Sequence, residues 1–203
     1  MRRCKRRIGV WVFLLWCSAL LAGTAAEVPA RYAIDQHFGS IEFSVSTFGL
    51  FSSRGGFQRF SGTLSLDFAQ PQQTQIAVVV DADSISMPWE AATQRLHSPA
   101  YFDVAHYKEI RFNSSHVVPV GPHQYRIDGV MEIRGVTRPQ TFEARLVRLR
   151  PGTAPDTTVA DFVVTGEVRR SDFGMTADQP LISNRVHVMI HARITLRGTY
   201  EPG

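Results

Sequence analysis

From Val186 to Leu196 the chain alternates without a break: Val186, Val188, Ile190, Ala192, Ile194 and Leu196 take one side, and His187, Met189, His191, Arg193 and Thr195 the other. Successive side chains of a strand point to opposite faces, whereas a helix would spread this period around its axis. The segment therefore predicts a long strand with one apolar and one largely polar face. Tyr125, Ile127, Gly129, Met131 and Ile133 alternate in the same way with Arg126, Asp128, Val130, Glu132 and Arg134, and Ile41, Phe43 and Val45 alternate with Glu42, Ser44 and Ser46. Weaker alternation lies at 63–68, 75–82, 110–118, 141–149 and 159–168. That makes about eight strands, with a short ninth at 31–35.

Proline and glycine punctuate the runs at Pro71, Pro119 to Pro122, Gly135 to Pro139 and Pro151 to Pro155, so neighbouring strands are expected to pair antiparallel as hairpins. One stretch reads as helical. Pro88 fits a first turn, Trp89, Ala92 and Leu96 share a face, and Ser98-Pro99 opens a second short turn through Phe102. Strands of about 10 to 12 residues tilted near 40° would build a wall roughly 25 to 30 Å high, and an eight-stranded barrel of this kind can hold one ligand. The expected fold class is all-β: an antiparallel barrel of about eight strands with short helical turns covering one end. Its apolar side is rich in phenylalanine, including Phe43, Phe57, Phe60, Phe68, Phe102, Phe112, Phe142, Phe162 and Phe173. Read without further information, these rings either fill the barrel or line a cavity.

The N-terminus has its own logic. Met1 to Arg7 is basic without an acid, Ile8 to Ala22 is apolar, and Gly23-Thr24-Ala25-Ala26 are small. That order matches a secretory signal peptide. An apolar run of about 15 residues is short for a helix crossing roughly 30 Å of hydrocarbon. Cleavage is expected near Ala26, with an uncleaved anchor as the rival. Residues 1–26 are thus assigned to targeting and 27–203 to one domain, exported and with no stable membrane insertion after cleavage. Of 22 basic residues, Arg2, Arg3, Lys5, Arg6 and Arg7 lie in the first segment, which has no acid, so the remainder carries 17 basic against 18 acidic side chains, a charge of −1. The basic excess belongs to the targeting segment and gives no support to a nucleic-acid partner. Both cysteines, Cys4 and Cys17, also fall there. The rest has no thiol for a disulfide, a nucleophile or a metal.

Catalytic and metal signatures are weak. No HExxH, GxSxG or GxxxxGK occurs. His187 and His191 share a strand face but would stand roughly 13 Å apart, too far for one ion. His97 and His106 fall near the lid, where an acid or base could act, yet no orienting partner for either is evident in the sequence. Arg134, Arg170 and Asp172 are expected to form ion pairs at the barrel rim, the alternative being an arginine that meets an anionic or carbonyl head group. No catalytic residue, metal site or bound cofactor is expected, and the chain is read as a non-enzyme.

Several stretches, taken in order, resemble the YceI-like polyisoprenoid-binding proteins of bacteria. They are Tyr32 to Asp35 with Ser40 to Val45, Gly56 to Gly62, Leu96 to Asp103, Ile110 to Phe112, Gly129 to Thr137 and Arg170 to Met175, spread over most of 31–196. The resemblance implies an extended lipocalin-like antiparallel barrel with a short helical lid, exported to the periplasm, whose interior takes a long isoprenoid, a quinone-like lipid or a similar amphiphile. This sequence departs from the family pattern at Arg95, where a histidine is usual, at Ala100, where an acid is usual, and at Asn184 and Arg185, where acids are frequent. Polar contacts of the lid are therefore not carried over. Alternation turns Phe43, Val45, Phe57, Phe60, Phe112, Ile133 and Val188 inward and Glu42, Ser44, Arg134 and His187 outward. With Phe102, Phe173 and Met175 from the matching stretches, the inward residues form the candidate lipid-binding set. The expected function is a carrier or sink for such a lipid. The rivals are an accessory binding a protein through its rim and an enzyme acting on a barrel-bound lipid. A homodimer is left open.

Overall fold

The structure is a computed structural model that describes residues 30–66, 70–154 and 157–197. The segment 1–26, its cleavage point and Phe68 lie outside the described residues. The strands are β1 (Ala30–Asp35), β2 (Gly39–Thr47), β3 (Phe51–Phe57), β4 (Phe60–Leu66), β5 (Gln75–Asp81), β6 (Ile85–Ser86), β7 (Glu109–Gly121), β8 (Gln124–Ile133), β9 (Val136–Pro151), β10 (Thr157–Arg169) and β11 (Ile182–Arg197). Among the described residues a single α-helix, α1 (Glu90–His97), sits between β6 and β7.

The strands make one antiparallel sheet in the order β1-β4-β5-β7-β8-β9-β10-β11-β2-β3-β6. It curls until β1 lies against β11. The alternation of 186–196 holds along β11, whose even-numbered residues from Val186 to Leu196 face in while the odd-numbered ones are exposed. Eleven strands replace the expected nine. The two additions are β3 and β6. Phe51–Phe57 has phenylalanine only at its ends and Gly55-Gly56 between, and β6 is two residues long, so neither displays a period.

Two bulges explain why alternation is weak elsewhere. Asp161 faces Arg148 and Phe162 faces Leu146, which leaves Val147 as an extra residue on β9. The phase slips there, so Leu146 and Leu149 both pack inward while Val147 and Arg148 are exposed. On β7 the register passes from Ser114 to His116, and the inward series Ile110, Phe112, Ser114 resumes at Val117. β9 and β11 reach 16 residues each, longer than the strands the alternation outlined.

The helical stretch is shorter than expected. Trp89 is extended (φ −118°, ψ 129°) at the helix boundary, so helical spacing does not place it beside Ala92 and Leu96, and its ring is exposed. The second short helix is absent: after Ser98 the chain makes successive turns, with Tyr101 N–H and Asp103 N–H both donating to Ser98 O. Arg134 and Gly135, both at positive φ (53° and 70°), form the two-residue turn between β8 and β9. Two buried clusters fill the barrel. A larger one around Phe60, Phe112, Phe142 and Phe173 lies toward the α1 end, and a smaller one around Leu64, Ala160, Ile194 and Leu196 toward the other.

Candidate functional site

The barrel is not solid. A cavity of about 300 Å³ lies beneath α1, and a second of about 170 Å³ lies deeper. Ile41, Val78 and Ile190 line both, so the two chambers adjoin at a waist formed by β2, β5 and β11. The upper chamber is near the low end of the range for small-molecule sites. Its walls come from the inward positions of most strands, while Ala92 and Leu96 of α1 close it from above.

Of the ten residues singled out from the sequence, Phe43, Val45, Phe57, Phe102, Phe112, Ile133, Met175 and Val188 line the upper chamber. Phe60 lines the lower one. Phe173, only 2% exposed, packs in the core beside them and lines neither. Among the residues expected outside, Glu42 and His187 are exposed, whereas Ser44 and Arg134 are half-buried. The aromatic rings touch edge to face. Phe57 meets Phe102 with centroids 5.9 Å apart at 88°, and Phe112 meets Phe142 at 5.2 Å and 86°.

Glycines on the inner wall give these rings their room. A Cβ on Gly129 would fall 2.7 Å from Phe112 Cζ, and one on Gly55 would fall 2.5 Å from both Phe43 Cζ and Met87 Sδ. Glycine inside a strand marks such close approach, a signal the sequence carries at Gly55, Gly129 and Gly166.

Polar groups gather at the lid. Arg95 of α1 donates through Nε and Nη2 to the Asp178 carboxylate (2.9 and 2.8 Å), and Tyr101 Oη donates to Asp178 Oδ2 at 2.6 Å. Arg95 thus ties α1 to the 174–181 loop. Burial pushes the Tyr101 phenol above its ordinary pKa, and its hydrogen bond to Asp178 acts in the same direction. The Asp178 carboxylate is held below its ordinary value, first by the Tyr101 hydrogen bond and then by Arg95.

The ion pairing expected among Arg134, Arg170 and Asp172 gives way to a different arrangement. Arg170 is 4% exposed and donates to the carbonyls of Ser183, Met175, Ala177 and Ile182 at 2.7–3.0 Å. These carbonyls lie in the loop before β11 and at its first two residues, and a guanidinium with five donors serves all four. Arg134 likewise donates to Gly174 O and Pro99 O, both at 3.2 Å. Asp172 is exposed, with Ser171 Oγ as its partner.

The histidines stand apart from the lumen. An orienting partner for His106 does exist, since its Nδ1 lies 2.9 Å from Asp103 Oδ1, but the imidazole faces solvent. His97 is half-buried, and neither ring lines a chamber. Among the described residues no three His, Cys, Asp or Glu side chains cluster as a metal site.

Comparison with known proteins agrees with this geometry. Protein YceI of Salmonella arizonae is 28% identical over 179 residues, covering 85% of this chain and 91% of the relative. The crystal structure of Burkholderia cenocepacia BcnA superposes with a TM-score of 0.69 at 18% identity, over 80% of this chain and 99% of that one. A polyisoprenoid binding domain from Saccharophagus degradans, implicated in plant cell wall breakdown, gives 0.57 at 14% identity, over 83% and 99%. These structures share the curled antiparallel fold. Residues 32–194, which hold every wall of both chambers, match the YceI-like domain, and the chain therefore belongs to the YceI-like family.

Proposed function

We propose that this protein is an exported carrier or sink that holds the apolar chain of an isoprenoid or similar amphiphilic lipid in the two-chamber lumen. The observation that carries the reading is the lumen itself, walled mostly by aliphatic and aromatic side chains along its length, its only charged lining residues among those described being Arg95 of α1 and Arg170 after β10. Membership of a family with a polyisoprenoid-binding neighbour supports the same cargo. The ten residues named from the sequence are assigned as contacts to the lipid or, for Phe173, as support behind them.

The energetics favour an apolar chain without a demanding head-group site. At about 0.8 kcal/mol per buried methylene, about ten methylenes contribute roughly 8 kcal/mol, comparable to a micromolar affinity before the costs of immobilisation. Head-group contacts then need only orient the chain. Arg95, on the rim of the lining, is the residue placed to do so.

Export is part of the proposal. Residues 1–26 direct the chain to the periplasm and are removed, so the protein there begins at Glu27. One experiment addresses cargo and address together. Native mass spectrometry of protein from the periplasmic fraction is expected to show a polypeptide starting at Glu27 that carries one lipid, released on collisional activation. An intact membrane-bound Met1 form would refute cleavage, and an empty barrel that takes up no added isoprenoid would refute the cargo.

A further inference from the structure

The hairpin between β2 and β3 breaks the usual chemistry of such turns. Two-residue turns at positive φ favour Asn-Gly or Asp-Gly. Here three residues, Phe48-Gly49-Leu50, join Thr47 to its partner Phe51, and the two at positive φ (54° and 67°) are Phe48 and Gly49. A bulky ring in the left-handed region is uncommon and strained. All three apolar side chains point into solvent, Leu50 being 85% exposed and Phe51 66%. Leu181 and Trp89 are exposed as well.

Pairing gathers these residues at one end of the barrel. Phe48 N–H donates to Leu181 O at 2.7 Å, and Thr47 faces both Ile182 and Phe51. Trp89 follows two residues after Met87, and β6 runs antiparallel along β3, which carries the chain toward the same tip. Thr47, Ser53, Met87 and Ile182, one step below the exposed ring, line the upper chamber. So does Arg95, whose side chain is 57% exposed, and the lumen therefore reaches the surface at this end.

We propose that this apolar tip is a membrane-docking surface, which seats the mouth of the barrel on the interfacial layer of a lipid bilayer. The proposal rests on the lipid-carrier reading and adds where the cargo enters and leaves. Two observations favour a bilayer over a protein or a second copy. Of the turn's three backbone donors two are already satisfied, since Phe48 N–H reaches Leu181 O and Leu50 N–H reaches Thr47 O, so insertion strands neither of these in an apolar medium. And the tip adjoins an apolar lumen, so a chain leaving the bilayer would pass from lipid to protein without crossing water. Tryptophan and phenylalanine at such a boundary suit the interface between headgroups and acyl chains.

Hydroxyl-radical footprinting of the purified protein, with and without phosphatidylcholine vesicles, tests the docking at the tip itself, whatever the N-terminal segment does. Oxidation of Phe48, Phe51 and Trp89 is expected to fall about threefold or more when vesicles are added, while Phe38, at the opposite end of β2, keeps its solution rate. The double variant Leu50→Asp/Phe51→Asp, altered only at exposed positions, should lose the protection of Phe48 and Trp89. Unchanged oxidation of the tip in the presence of vesicles would overturn the proposal. So would protection that rises with protein concentration alone, the mark of a second copy. Native mass spectrometry on the same samples separates the two readings: lipid retained without vesicle protection defeats docking only, and vesicle protection of a barrel that takes no lipid defeats the carrier only.

Discussion

Arg170 shows how much a single side chain can decide. Its guanidinium is buried, and its four acceptors are carbonyls of one looping segment. Removing it leaves buried acceptors without donors, at a cost of about 3 kcal/mol or more. Arg170→Met is therefore expected to lower the midpoint of urea unfolding strongly, whereas Asp172→Ala, at an exposed position, should cost less than about 1 kcal/mol. Arg170→Lys should recover little, since an ammonium lacks the planar fork that spans several carbonyls. Equal losses in the Arg170→Met and Asp172→Ala variants would mean that the aspartate anchors the arginine after all. Sequence reasoning found this cluster but paired it by charge, because a carboxylate two residues away is visible in a string of letters and a ring of carbonyls is not.

Among the elements, α1 is joined to the 174–181 loop by Arg95, Asp178 and Tyr101, and the two titrating partners set a window for that contact. Asp178 has a folded pKa below its ordinary 3.8, so its contribution is present above that value and is lost as pH falls through the lowered one. Tyr101 has a folded pKa above its ordinary 10.0, so its contribution is present below that value and is lost as pH rises through the raised one. The difference in thermal midpoint between wild type and Asp178→Asn should stay level from about pH 5 to 8 and shrink only under strongly acid conditions. A difference that vanishes near neutrality would show that the contact does not hold the lid. The elements also mark the limits of sequence reading. β8 was legible from end to end and β11 from Val186 to Leu196, where each keeps one phase; the first residues of β11 were not, since its register against β2 shifts between Ile182 and Val186. β7 and β9 blurred where Ser115 and Val147 add a residue, and β3 was invisible because Gly55 and Gly56 occupy its centre. The apolar tip at Phe48 to Phe51 escaped for a related reason: turns are sought by their glycine and polar residues, and this one is built of rings.

For the whole molecule, the question is whether the aromatic lumen is a core or a container, and two neighbouring substitutions distinguish them. Phe43 is half-buried, with Gly55 and Phe57 at one side of its ring and the upper chamber at the other, so Phe43→Trp directed into the chamber should reduce lipid uptake with less loss of stability than at a fully buried ring. Phe112 is wedged between Phe142 and the bare backbone of Gly129, so Phe112→Trp should destabilise the fold by about 1–3 kcal/mol through overpacking. Unfolding in both variants would make the lumen an ordinary core.

The sheet order has a further consequence in time. β2 and β11 lie side by side, with Ile41 opposite Ile190, so two segments about 150 residues apart in the chain must meet to form that pairing. High contact order slows folding, because loop closure comes before the contacts that reward it. A chain emerging from its ribosome cannot complete this pairing until its last strand is made. Until then β2 presents an unpaired edge, open to mispairing with other chains. Under the export proposed above, the barrel would close only after the last strand had crossed the membrane, so the pairing of β2 with β11 would be made on the far side.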